Sequence, residues 1–252
     1  DPGAGFTAVI QLGTLAAVLI YFRQDLWRAF SAWLKSLTDK SARDTVDAKM
    51  GWAIVIGTIP IVILGVLFRH SIESSWRSLY VIATMLAVVG VFMLVAEKVG
   101  TQHRKIGDVK VVDGAIVGLA QAVALIPGAS RSGSTLVGGL LAGFDRATAA
   151  RFSFLLSVPS VLAAGLKEFW DYRHDILGAG MVPTAVATVI SFIVGYATIS
   201  FLLGYLAKRS TAVFVGYRIA LAALLFFLLG THRLDPMQGI APAKLESASN
   251  LK

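Results

Sequence analysis

The sequence predicts an all-α polytopic membrane protein, built as an inverted-topology repeat with six transmembrane helices and one re-entrant helical hairpin. Three observations lead there. Of the 252 residues, 56% are apolar and only 15% charged, against roughly 45–50% and about 25% in soluble domains, and the mean hydropathy is +0.72. The charges are segregated, leaving six runs long enough to cross a hydrocarbon core of about 30 Å. Between the third and fourth runs stand two apolar stretches too short to cross, joined by glycines and hydroxyls.

Residues 6–22 form the first span, closed by Arg23, with Gln11 and Thr14 suited to helix packing or to lining a cavity. Residues 24–38 differ. Leu26, Trp27, Phe30, Trp33, Leu34 and Leu37 share one helical face and Arg28, Ser31 and Lys35 the other, the pattern of a helix lying in the headgroup layer. Residues 39–49 are a solvated loop. The second span, 52–68, contains Gly57-Thr58-Ile59-Pro60, which should kink it and free backbone carbonyls. Residues 79–96 are the third span, and the basic loop 100–112 leads into the hairpin. After it come spans 147–166, 181–206 and 213–229. The first of these carries Ser153, Ser157 and Ser160 as a polar stripe, with Pro159 breaking its hydrogen-bond ladder. Arg218 sits inside the last, where a cation is paired or functional. The tail 230–252 reads as polar and disordered, and the four histidines (His70, His103, His174, His232) as loop residues.

The hairpin covers residues 113–144. Its arms, 114–126 and 136–144, make helices of roughly 20 Å and 14 Å, enough to enter to mid-depth and return. The tip is Pro127-Gly128-Ala129-Ser130-Arg131-Ser132-Gly133-Ser134-Thr135. Gly128 and Gly133 let backbone N–H groups converge. Ser130, Ser132, Ser134 and Thr135 can donate hydrogen bonds, and Arg131 offers a fork matched to phosphate oxygens. A helix opening near Ser134 would aim its positive end at the same point. Such a tip reads as an anion site.

Three spans, a hairpin and three spans make the second set run inverted relative to the first, with Pro60 and Pro159 as matching interruptions. The repeats are 6–99 and 113–229 within one membrane domain. Symmetry then asks for a second hairpin upstream of residue 6, which this sequence does not contain. With the hairpin returning to its own side, one membrane face carries fourteen lysines and arginines and the other seven, so the loop 23–49 is cytoplasmic. The net charge of +8 fits that bias and headgroup contact, and nothing resembles a nucleic-acid module. With no cysteine there is neither a disulfide nor a thiolate metal site.

The segment Ile126–Thr135 resembles the second signature of the bacterial undecaprenyl-diphosphatases, the bacitracin-resistance family. Supporting similarities are Val9-Ile10-Gln11-Leu12-Gly13, Gly57-Thr58-Ile59-Pro60, the stretch from Phe152 to Pro159, and Tyr217-Arg218. The resemblance spans residues 6–229. It implies a multi-pass enzyme of the bacterial plasma membrane that removes the terminal phosphate of undecaprenyl diphosphate, recycling the lipid carrier for peptidoglycan and giving bacitracin resistance. It further implies a divalent cation (Mg or Ca), a site opening to the outer face, and allows a homodimer. Carried over by residue, Arg131 and Ser130 are the catalytic candidates. Gly128, Ser132, Gly133, Ser134, Thr135, Gln11 and Arg218 are the substrate-binding ones. The family's first signature, an acidic motif ending in S-S-T-G-H, has no counterpart here. No metal ligand or general base is therefore identified, and the chain is expected to be inactive alone. The alternative is a transporter or translocase that holds an anion or polyprenyl phosphate at the same broken-helix site.

Overall fold

The computed structural model describes residues 4–73, 75–178 and 181–237. Every named element among them is a helix. They are α1 (Ala4–Tyr21), α2 (Arg23–Thr38), α3 (Val46–Leu67), α4 (Arg69–Glu73), α5 (Leu79–Val99), α6 (Val111–Val123), α7 (Arg131–Leu141), α8 (Arg146–Gly178), α9 (Met181–Leu206) and α10 (Ala212–Gly230), with short 3-10 turns between. Five of them hold stretches long and apolar enough to cross a membrane: α3, α5, α9, α10 and the first 22 residues of α8. In α1 the described apolar stretch is the shorter Gln11–Tyr21. Their outward faces leave Val66, Ile193 and Phe227 more than half exposed, a surface that suits lipid and not water.

α2 follows α1 after a break at Phe22 and packs on α3. Ala29 and Ser36 are buried in that contact, with Leu26 and Trp33 partly covered, while Trp27 stays 69% and Phe30 51% exposed. The apolar stripe therefore divides between a protein side and an outward side.

The functional part of the fold rests on α6 and α7, which pack against each other as a helical pair. α6 lies backbone to backbone along α3, because a Cβ on Gly114 or Gly118 would fall 2.2 Å from the Ala53 oxygen or 2.3 Å from the Gly57 oxygen. Small residues allow this approach, as helices in lipid require. The outer ends of the pair meet on Arg104. Its guanidinium donates to both oxygens of buried Asp113 (2.9 and 2.5 Å) and to the Ala142 carbonyl (2.7 Å), and lies over the Phe144 ring. Beside it Lys105 pairs with Asp145 at 2.6 Å. Burial pushes the Asp145 carboxyl up, but Lys105 and the Thr148 N–H outweigh it and hold that carboxyl below its usual range.

α3 and α8 run on as helices through Pro60 and Pro159, and each proline leaves the carbonyl four residues earlier without its ladder donor. Several expectations are corrected. α8 continues to Gly178, so His174 is helical, and His70 lies in α4. α7 opens at Arg131, before Ser134. The tip packs beside the far end of α3 and the start of α5: Leu125 touches Gly65 near the end of α3, and Gly128 abuts Ile82 near the start of α5. Tight turns at residues 124–126 lengthen the first arm. The tail is anchored as far as it is described, with Leu79 N–H donating to the Pro236 carbonyl at 2.8 Å; residues 238–252 lie outside the described residues.

Candidate active site

The site grows from the way the chain enters α7. Gly128 takes φ +89° and Ser130 φ +65°. A Cβ on Gly128 would lie 2.4 Å from the Ile82 oxygen, so glycine is needed there for both conformation and space. Ser130 is the N-cap, its Oγ accepting from Gly133 N–H at 3.3 Å and lying 3.4 Å from Ser132 Oγ. Arg131 is then the first residue of the helix, and its side chain stands at the positive end of the helix dipole.

Arg218 reaches this turn from α10. Nη2 donates to the Gly128, Ala129 and Met85 carbonyls (3.0, 3.1 and 3.3 Å) and Nε to that of Leu86 (3.3 Å). A buried cation thus bridges α5 to the Gly128 and Ala129 oxygens that the break before α7 leaves open.

Two cavities flank Phe154 and Thr198, which line both. The first, about 410 Å³ between α1, α8 and α9, holds Arg131 with Thr14, Ser157 and Ser191. The second, about 380 Å³ between α7, α8, α9 and α10, holds Ser130, Ser132, Gly133, Ser153 and Arg218. The structure therefore brings Arg131, Ser130, Ser132, Gly133 and Arg218 to one region. Ser134 and Thr135 are buried and line neither cavity. Thr135 donates to the Arg131 carbonyl at 2.8 Å and meets the hydroxyl of Ser153, fixing the first turn of α7 to α8. Gly128 shapes the turn without lining a cavity. Gln11 is half-buried and lines neither, though Thr14, one turn on, lines the first and donates to the Gln11 carbonyl at 2.8 Å. Thr198 and Ser191 escaped the sequence reading, because single hydroxyls inside apolar spans have no spacing to mark them.

What gathers here is a guanidinium, hydroxyls and a helix N-terminus, a set that binds a multiply charged oxyanion. Mg and Ca take carboxylate-rich oxygen sets. No carboxylate or imidazole lines either cavity, and among the described residues no three His, Cys, Asp or Glu converge. The described donors do not fit a divalent cation, and no step is routed through one.

The profile of the family described as "Bacitracin resistance protein BacA" matches residues 1–224. An undecaprenyl-diphosphatase of a Nocardioides species is 49% identical over 231 residues, covering 92% of this chain and 84% of that protein. One from Chlorobaculum tepidum is 46% identical over 245 residues, covering 94% and 87%, and one from Paenarthrobacter aurescens 47% over 233, covering 91% and 84%. With a family match along most of its length and relatives this similar, the chain belongs to the bacitracin resistance protein BacA family.

Proposed function

We propose that this protein is an integral membrane phosphatase that hydrolyses undecaprenyl diphosphate to undecaprenyl phosphate and inorganic phosphate. The observation that carries the reading is Arg131 at the opening of α7, with the Ser130 and Ser132 hydroxyls beside it, in a chain whose relatives are named undecaprenyl-diphosphatases. The same relatives speak for hydrolysis over translocation.

Water attacks the terminal phosphorus in line, the bond to the bridging oxygen breaks with its electron pair going to the lipid phosphate, and orthophosphate leaves. Charge spreads over the equatorial oxygens, so positioning and positive potential contribute most. Arg131 takes two of those oxygens at once. Ser130 and Ser132 donate to a third, and the dipole of α7 adds to the field. Arg218 binds the carbonyls of the tip and so holds the turn that aims Arg131. The hydrogens of the attacking water end on the two products, orthophosphate and the lipid phosphate, in exchange with solvent.

The finer architecture follows the same reading. The hairpin is re-entrant, supported by Arg104 closing both its ends. The repeat is inverted, supported by packing: α1 on α9 matches α8 on α3, and α5 meets its counterpart α10. The site opens to the outer face of a bacterial inner membrane, supported by the tip lying near the ends of α3 and α5 that the charge bias assigns to that side.

The test is phosphate release from undecaprenyl diphosphate by the protein in nanodiscs, with binding of the same lipid measured in parallel. In the full-length protein, with the family's first signature present, R131K keeps the charge and loses the fork, so release should fall on the order of 10²-fold or more. Release equal to wild type by R131K would remove Arg131 from the mechanism.

A further inference from the structure

Gln121 is completely buried, and both ends of its amide lack a hydrogen-bond partner. Among the described residues the buried side-chain atoms in this condition are Trp33 Nε1, the two of Gln121, and Ser134 Oγ. Helical register brings Gln121 and Ser134 to one level. Gly138 of α7 packs between Ala120 and Val117 of α6; one turn back along the antiparallel partner, Ser134 comes level with the turn that begins at Gln121. Gly118 of α6 lies on Gly57 of α3 and Gly114 on Ala53, so three residues further along these parallel helices Gln121 comes level with Pro60. Pro60 has no N–H, so the Ile56 carbonyl has no intrahelical donor. Gln121 is four residues from Val117 and three from Gly118, where the α7-facing and α3-facing sides of α6 meet.

A dry apolar interior would make this arrangement costly, since each orphaned polar atom loses its water without replacement. The orphans are also complementary: an amide N–H pair that donates, an amide oxygen and a backbone carbonyl that accept, and a hydroxyl that does both. The geometry points to an internal water site at the junction of α3, α6 and α7, held by Gln121, Ser134 and the Ile56 carbonyl. An ordered water needs two to four polar partners, which this set supplies. A metal cation is a poor fit, because no anionic group is present and the amide N–H end would face it. Gln121 then acts as a positioning residue: through the water it ties α7, which carries Ser130 and Arg131, to α3. The inference stands on burial and register and does not depend on the reaction assigned above.

Its test is direct. The protein with 15N-glutamine is placed in nanodiscs, and the Gln121 side-chain amide is assigned by its loss in Q121L. Magnetisation exchange from water to that amide should show a long-lived bound water; its absence overturns the site. A crystal structure should place an isolated density within hydrogen-bond reach of Gln121 and Ser134. A direct Gln121–Ser134 bond with no density between them overturns it, as does a density ringed by oxygens at metal–ligand distances. Q121L should unfold several degrees below wild type, and Q121L/S134A should recover part of that loss, because removing both partners removes the remaining orphan. Unfolding of Q121L at or above the wild-type temperature would show the site to be dry. Should Q121L not fold, the exchange measurement on wild type, with S134A weakening the signal, decides alone.

Discussion

Two arginines set among apolar helices illustrate how far a residue type speaks for itself. Arg131 was legible from the sequence because glycines and hydroxyls surround it in the chain. Arg218 stood out as a cation in an apolar span, but its partners did not: they are the carbonyls of residues 85, 86, 128 and 129, and a backbone oxygen leaves no mark in a sequence. The difference predicts different phenotypes. R131K should fold and lose turnover. R218M should lose both, because the Gly128 and Ala129 carbonyls of the tip lose a charged donor, and each orphan costs about 1–3 kcal/mol. Thermal unfolding of the two variants in detergent separates them. An R218M midpoint equal to wild type would leave substrate binding, the role the sequence suggests, as the whole of what Arg218 does there.

At the scale of elements, the spans were legible because length and apolar composition are local properties, whereas their ends and depth were set by partners. Nothing in residues 124–126 shows that the tip reaches the start of α5; the packing of Gly128 on Ile82 does. The seam between α3 and α6 tests how tightly the hairpin is held. G118A puts a methyl 2.3 Å from the Gly57 oxygen and should cost about 1–3 kcal/mol by overpacking. G204A in α9 meets nothing within 4 Å and should be neutral or stabilising by up to about 1 kcal/mol from helix propensity. Urea or thermal midpoints in the same detergent rank the two, and a harmless G118A would mean the seam is looser than described. Asp145 offers a second measurement at the entry to α8, where it accepts from Thr148 N–H at 2.7 Å and pairs with Lys105. Its carboxyl is held below the usual range, so its stabilisation is complete above the unfolded value of about 3.9 and is lost as pH falls through the folded one. D145N should therefore unfold below wild type at pH 6, with the gap narrowing as the pH falls below the unfolded value of about 3.9. A gap that persists unchanged in acid would assign the effect to packing.

For the whole molecule, the question is which helix ends share a membrane face, and one carboxylate bears on it. Glu97, in the last turn of α5, accepts from Arg146 Nε at 2.6 Å, at the start of α8, and from Thr211 N–H at 3.0 Å, just ahead of α10. The end of α5, the start of α8 and the start of α10 therefore lie together. If α6 and α7 crossed the membrane as one span, α8 would start on the side opposite to the end of α5, and Glu97 could not reach Arg146. Re-entry removes that conflict. The chain contains no cysteine, so single cysteines can be read against a silent background. Gly107 is exposed ahead of the hairpin, Ser210 ahead of α10, and Thr231 after it. Cysteines at 107 and 210 should react with an impermeant maleimide only from the cytoplasmic side, and one at 231 only from the outside. A cysteine at 210 labelled from the face opposite to 107 would mean that the hairpin crosses, and that the Glu97–Arg146 contact does not hold in the bilayer.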